Sequence, residues 1–482
     1  MENGQTGHKE FIYEKVAGEI AHLIEAGTFK PGDRIPSVRQ LSGRKKVSVT
    51  TVLQAYYLLE DQGLIEARHQ SGYYVRPRSH RGLPEPGISS PGSDPSRVSV
   101  HELVMMVLRD GQNPDLVQLG VAIPNPALLA TKKLNRIMAS VARRLGDQSG
   151  LYFFPPGCEA LRVQIARRSL AVGVDLSPDD VVITSGCFDA VTLCLRAVCR
   201  PGDTVAIESP TYYGTLQGVE ALGLQVLEIP THPRDGMSLD ALRFAVENTP
   251  VNACLVITNF NNPLGSCMPE EKKKELVDLL AGHDIPLIEN DVSGEIYFSG
   301  QRPGVAKAYD REGLVMLCSS FSKVLSPGYR VGWVVPGRFK QTIELLKFTS
   351  TLAAATLPQL AIAQFLASGG YDHHLRHVRR VYAQSVAAMS QAVRHYFPPG
   401  TRVTRPAGGY VLWIELPPQV DSLELYKKAL QAGITLAPGP IFSARQQYRN
   451  FIRLNAAYWS ETAQNAIKQL GELIAQLTHP AR

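Results

Sequence analysis

At 482 residues, 44% hydrophobic and 20% charged, the chain has the composition of a soluble globular protein and is too long for one ordinary core, so two or three domains are expected. No apolar run is long enough to span a bilayer and no signal peptide is recognisable. Seven scattered cysteines without a CxxC pair point to a reducing cytoplasm and away from a structural zinc site or any other metal. The net charge of +6 permits nucleic-acid binding without demonstrating it.

Residues 8–77 read as a first domain. Val16, Ile20, Leu23 and Ile24 recur at helical spacing between Phe11 and Ala26, and Gly27 ends that helix. Ser37 caps a short helix from Val38 to Arg44. Ser48 caps a third, Val49 to Gln62, with Leu53, Tyr56, Tyr57 and Leu59 as its apolar face. Leu64–Ala67 and Gly72–Val75 then read as two strands around Arg68-His69-Gln70-Ser71. Three short helices and a ribbon make a winged helix-turn-helix, mostly α with a small β-wing. Ser48, Thr50 and Thr51 open the helix that enters the major groove in this motif. Arg34, Arg39, Arg44, Lys45 and Lys46 flank them with positive charge, and Arg68 and His69 lie in the wing. A small helical interaction domain with a solvated basic face fits the pattern alone.

Pro31-Gly32-Asp33-Arg34-Ile35-Pro36-Ser37-Val38-Arg39-Gln40-Leu41, then Val47-Ser48, Thr50-Thr51-Val52, Gly63-Leu64-Ile65 and Ser71-Gly72-Tyr73-Tyr74-Val75, resembles the DNA-binding domain of the GntR regulators. The resemblance implies operator contacts at Arg39, Thr50, Thr51 and the wing at Gly72. Val49 stands where that family often has a basic residue.

Residues 78–99 are rich in Pro, Gly and Ser and lack apolar periodicity, so a flexible linker is expected. From about residue 100 to 482, strand and helix patterns alternate, which argues for an α/β architecture. A large subdomain is expected over about 135–360 and a small one over about 361–482. Val181–Thr184 leads into Ser185-Gly186-Cys187 and a helix, an arrangement that offers backbone N–H groups to a phosphate. Thr204–Ile207 leads to Tyr212, which could stack on a flat ring or pack at a loop. Cys254–Ile257 leads to Asn262, and Pro286–Ile288 to Asn290 and Asp291. Val315–Cys318 leads to Ser319-Ser320-Phe321-Ser322-Lys323 and on to Arg330. A lysine among hydroxyls and a guanidinium suits a Schiff base to an aldehyde cofactor with a phosphate. Strand C-termini are where α/β sheets bind ligands.

This order resembles the fold-type I, pyridoxal-phosphate-dependent aminotransferases of class I/II. The resemblance implies pyridoxal 5'-phosphate as cofactor and Lys323 as its Schiff-base lysine. It implies phosphate contacts from Ser320, Ser322, Arg330, Gly186 and Cys187. It places Tyr212 on the ring, Asn262 at the 3-hydroxyl oxygen, Tyr152 on a neighbouring subunit's phosphate and Arg453 at the substrate carboxylate. Asn290 and Ser293 stand where the family carries an aspartate facing the ring nitrogen and a tyrosine. Either Asn290 faces that nitrogen and leaves the ring less electron-withdrawing, or Asp291 takes over through a backbone shift; the alternation of strand side chains favours the first.

A GntR head on an aminotransferase-like body is the layout of the MocR subfamily of bacterial regulators. That resemblance implies double-stranded operator DNA as a partner and a homodimer in the cytoplasm, at the nucleoid when DNA-bound. It implies an amino compound, or the cofactor itself, as effector. A working aminotransferase with an attached DNA-binding domain is the alternative, left open by Arg453 and disfavoured by Asn290 and Ser293.

Overall fold

Helix-period apolar residues build the first of two units, whose division lies between Gly82 and Leu83. The computed structural model describes residues 12–30, 32–61, 64–68, 72–75, 83–298 and 300–478. Helix α1, Ile12–Glu25, buries Val16, Ala17, Ile20 and Ile24. Helix α2, Val38–Lys45, opens with a capping box. Gln40 N donates to Ser37 Oγ at 3.3 Å and Ser37 N donates back to Gln40 Oε1 at 3.1 Å. Helix α3, Val49–Asp61, starts where Thr51 N donates to Ser48 Oγ at 3.0 Å. Its buried stripe is Val52, Ala55, Tyr56 and Leu59. Tyr57, expected on the apolar face, is 59% exposed, because the true stripe runs one position earlier around the helix.

Strand β1, Ile65–Arg68, pairs antiparallel with β2, Gly72–Val75, setting Ile65 opposite Val75. The winged helix-turn-helix expected from the sequence is therefore present. His69 of the expected wing, and residues 8–11 and 76–82, lie outside the described residues.

The second unit is organised by an eight-stranded sheet. Its strands are β3 (Val182–Thr184), β4 (Thr204–Ser209), β5 (Gln225–His232), β6 (Gly236–Met237), β7 (Ala253–Val256), β8 (Leu287–Asn290), β9 (Val315–Ser320) and β10 (Gly332–Val335). Their order is β3-β10-β9-β8-β7-β4-β5-β6. Only β10 and β6 run against the rest. The parallel strands are buried on both faces, which is why they read as continuous apolar runs. Because β3, β4, β7, β8 and β9 run one way, their polar C-terminal residues emerge at one edge. Helix α4, Cys187–Val198, leaves directly from the end of β3.

A second sheet of four strands contains β11, Val411–Glu415, and β12, Phe451–Asn455, as neighbours. Val117–Gln118 pairs in parallel with Ile434–Thr435, so the start of the body belongs with its end. Thr435 Oγ1 accepts from the N–H groups of Leu119 and Gly120, each at 3.0 Å.

The expected flexible linker over 78–99 is corrected from Leu83 onward, where the chain is a strap fastened to the body. Val403 N donates to Pro84 O at 3.0 Å, and Arg234 pairs with Glu85. Ser89 Oγ donates to Ser209 O and accepts from Thr231 N at 2.7 Å. Ser96 N donates to Val226 O at 2.8 Å and its carbonyl accepts from Val226 N at 3.0 Å, covering the edge of β5. Val98 and Val100 are buried. Prolines pre-set an extended backbone here, and the polar groups it leaves open are met by the sheet. Ser89→Ala is expected to lower body stability by about 1–2 kcal/mol, read from urea unfolding, since it orphans two backbone groups.

Candidate functional site

The strand ends enclose a cavity of about 170 Å³. Cys187, Tyr212, Asn262, Asn290, Ser320, Ser322, Lys323 and Arg330 all line it. They come from five separate strand ends, which the parallel sheet brings to one edge.

Lys323 lies in the turn after β9, and its Nζ donates to Ala122 O at 3.0 Å. Burial, with the charge of Arg453 adding, pushes its pKa down to about 8. The carbonyl it meets belongs to a segment clamped by β12. Asn455 Nδ2 donates to Val121 O at 2.8 Å and to Ile123 O at 3.0 Å, and Arg453 Nη2 donates to Gly120 O.

One end of the cavity suits an anion. Gly186 has φ of +102°, and a Cβ there would meet Arg330 Nη2 at 2.7 Å. A Cβ on Gly332 would lie 2.5 Å from the carbonyl carbon of Gly186, so β10 and the Gly186 turn touch backbone to backbone. Arg330 Nη2 donates to Ser185 O at 2.7 Å. Lys347 braces the same turn, donating to Asp189 Oδ2 at 2.7 Å and Ser185 Oγ at 3.1 Å. The N-terminus of α4, Ser320, Ser322 and the Arg330 guanidinium thus line the same cavity.

The other walls carry two carboxamides. Arg453 Nη1 donates to Asn262 Oδ1 at 3.2 Å, which turns the Asn262 NH₂ group toward the cavity. Val292 N donates to Asn290 Oδ1 at 3.1 Å, and Cys187 Sγ donates to the same oxygen at 3.2 Å. Arg453 is fully buried and rests over the Phe442 ring; no carboxylate pairs with it among the described residues.

Asp291 does not reach the cavity. It pairs with Arg302 at 2.5 Å and accepts from Asn259 Nδ2 at 2.8 Å on the opposite side of the strand end. Its expected place among the cofactor residues is corrected, for the pleat turns neighbouring side chains to opposite faces. Ser293 does line the cavity. Tyr152 lies outside it, 64% exposed beside Phe154 and near the exposed Phe348.

Sequence reasoning missed Phe188, Val191, Thr215, Ile257 and Val292 among the lining residues, and the Ala122 carbonyl. Phe188, Val191 and Thr215 lie one or two turns into helices that follow flagged turns, so helical spacing from Cys187 and Tyr212 was the available signal. A backbone carbonyl leaves no signal in a side-chain pattern.

On the first unit, Arg34, Arg39, Ser48 and Thr50 are exposed and Thr51 is half-buried. Arg34 packs against the wing, where a Cβ on Gly72 would meet its Nε at 3.2 Å. Ser48 and Thr51 share a side-chain hydrogen bond of 2.8 Å, so both brace the helix start. The side chain of Arg68 lies outside the described residues.

Residues 105–470 match the family "Aminotransferase class I and II", and residues 12–75 match "Bacterial regulatory proteins, gntR family". The chain belongs to the class I and II aminotransferase family, with a gntR-family head. That pairing is the plan of the MocR subfamily. This MocR-type chain is 40% identical over 465 residues to the "Uncharacterized HTH-type transcriptional regulator YdcR" of Escherichia coli (strain K12), covering 96% of this chain and 99% of the relative. Among solved structures it is similar to the multiple substrate aminotransferase (MsAT) from Thermococcus profundus, at 26% identity and a TM-score of 0.73, covering 78% of this chain and 96% of that one. It is also similar to LysN, the α-aminoadipate aminotransferase of Thermus thermophilus, solved with N-(5'-phosphopyridoxyl)-L-leucine. There the identity is 27% and the TM-score 0.71, covering 80% of this chain and 100% of LysN.

The lowered pKa of Lys323 in this MocR-type chain has a measurable sign. The neutral amine is the reactive form, so acylation of Lys323 should rise through about pH 8, well below the 10.5 of an ordinary lysine. Mass-spectrometric labelling rates across the range from about pH 7 to about pH 10 check this.

Proposed function

We propose that this chain is a DNA-binding regulator whose body holds pyridoxal 5'-phosphate at Lys323 and senses an amino compound, or the cofactor itself, through it. The observation that carries the reading is a helix-turn-helix head on a body whose lysine cavity has no carboxylate in its lining. When bound, the cofactor supplies an aldehyde carbon that takes up primary amines. The cavity has a donor set that fits it. Lys323 supplies the amine for the aldehyde. Ser320, Ser322, Arg330 and the backbone N–H groups of Gly186 and Cys187 would take the phosphate. The Asn262 NH₂ group would face the 3-hydroxyl oxygen, and the Tyr212 ring would lie against the pyridine.

Arg453 supports an amino acid or a related amino carboxylate as the amino compound. It stands behind Asn262 of the cavity wall with no carboxylate partner among the described residues, and a ligand's carboxylate that reached past Asn262 would meet it. The DNA side of the reading rests on the head: Thr50 is exposed in the first turn of α3, Arg39 is exposed in the first turn of α2, and Arg34 lies against the wing. A homodimer is part of the proposal. Leu151, Tyr152, Phe154 and Phe348 form an exposed apolar surface, which a second copy would cover while Tyr152 reached its phosphate. A working aminotransferase is the second reading. Arg453 and the lowered pKa of Lys323 favour it, and Asn290 and Ser293 oppose it.

The regulator reading is tested on the full-length protein loaded with cofactor. Lys323→Ala is expected to abolish the visible absorbance of the lysine-bound cofactor. Fluorescence anisotropy on DNA from upstream of the protein's own coding region should show an affinity that amino acids change in the parent and leave unchanged in Lys323→Ala. Rapid production of a keto acid from an ordinary amino acid would overturn this reading in favour of the enzyme.

Arg453→Leu should weaken spectral titration by an amino acid about 30- to 100-fold. The matching amine without a carboxylate should titrate equally in both proteins. An equal loss for both ligands would show that Arg453 only holds the fold.

A further inference from the structure

Asn290 sits on β8, whose end forms one wall of the cavity, and it is 8% exposed. Its carboxamide orientation is determined by its neighbours. A backbone N–H can only donate, so the Val292 N–H must meet the oxygen of the amide and not its nitrogen. The Cys187 thiol meets the same oxygen, and burial pushes that thiol's pKa up, which keeps the S–H donor in place. The Asn290 NH₂ group has no acceptor among the described residues.

The charges around this amide point the same way. The lining holds the cations Lys323 and Arg330 and no aspartate or glutamate. Arg453 adds a third positive charge next to Asn262. Asp291, one residue along, is committed to Arg302 and Asn259. Glu289 is committed to Thr258 and to the N–H groups of Ala306 and Lys307. A protonated ring nitrogen placed against this amide would set one N–H donor against another, with no carboxylate in the lining to stabilise its charge. An unprotonated ring nitrogen is an acceptor and complements the wall as built.

Resting on the cofactor reading above, we propose that Asn290 donates an N–H bond to the ring nitrogen of pyridoxal phosphate and holds that nitrogen unprotonated. The chemical consequence separates two steps. Exchange of amines needs only the aldehyde carbon: its bond to an incoming amine forms as its bond to Lys323 breaks. The incoming primary amine passes both of its N–H protons to the Lys323 nitrogen, which leaves as a neutral amine. Removal of a proton from the ligand's Cα leaves an electron pair that a protonated ring would accept, and here the ring stays neutral. The site therefore exchanges its amine and leaves the amino acid unconsumed, so occupancy follows ligand concentration.

The test uses the full chain loaded with pyridoxal phosphate carrying ¹⁵N in the ring. The ¹⁵N resonance is expected at the position of an unprotonated pyridine. In Asn290→Asp it should shift to the protonated position. In a second measurement, the deaza cofactor analogue with C–H in place of the ring nitrogen should bind more weakly than pyridoxal phosphate to the parent. Asn290→Leu should lose that discrimination. A protonated resonance in the parent, or equal binding of both compounds by it, would overturn the proposal while leaving the cofactor site standing. Failure of the chain to show the lysine-bound absorbance at all would instead remove the cofactor reading, and this proposal with it.

Discussion

A guanidinium buried at the junction of two sheets holds the cavity together. Arg453 rises from β12 of the smaller sheet, reaches the Gly120 carbonyl on one side and bonds Asn262, beyond β7 of the larger sheet, on the other. Without this residue three things come apart. The segment over the cavity loses a tie, the Asn262 amide loses its reason to turn inward, and Lys323 loses part of the push that lowers its pKa. A buried charge with only neutral acceptors is costly to keep. Its guanidinium is met by the Gly120 carbonyl and the Asn262 oxygen, while its Nε has no partner among the described residues.

The scaffold beneath is ordinary. Five parallel strand ends deliver polar residues to one edge, and a glycine-to-glycine approach between β10 and the Gly186 turn leaves room for an anion beside the start of α4. What is particular to this chain lies in the wall. The cavity wall carries an amide, Asn290, whose oxygen is already occupied, and on the proposed reading that amide stands where an acid would face the cofactor's ring nitrogen.

Much of this was legible in the sequence because the signals were local. Lys323 with its serines, the Gly186 turn, Asn262 and Arg330 sit at the ends of apolar runs, and the capping residues of the head precede helical spacing. The resemblance carried by those motifs supplied their roles. Three features were hidden, each for a physical reason. The Ala122 carbonyl acts through backbone and leaves no residue type to notice. Strand alternation already favours Asn290 over Asp291, but the Arg302 that holds Asp291 away from the cavity lies eleven residues along the chain and carries no motif. The strap over 83–100 has the composition of a free linker, because prolines that loosen a chain in isolation also pre-form the extended shape that a sheet edge can bind.

The carboxylate-free lining bears on kinetics as well as on equilibrium. Opposite charges draw a ligand in from beyond contact distance and like charges turn it away before it arrives. On the regulator reading, diamines and polyamines, though rich in primary amine, would find no carboxylate in the lining to draw them in and Arg453 behind Asn262 to repel them. Amino acids with a second acidic group would approach along that field. Capture of such acids would slow as ionic strength shortens its reach, so the cavity would discriminate among amines by speed of arrival before any hydrogen bond is made.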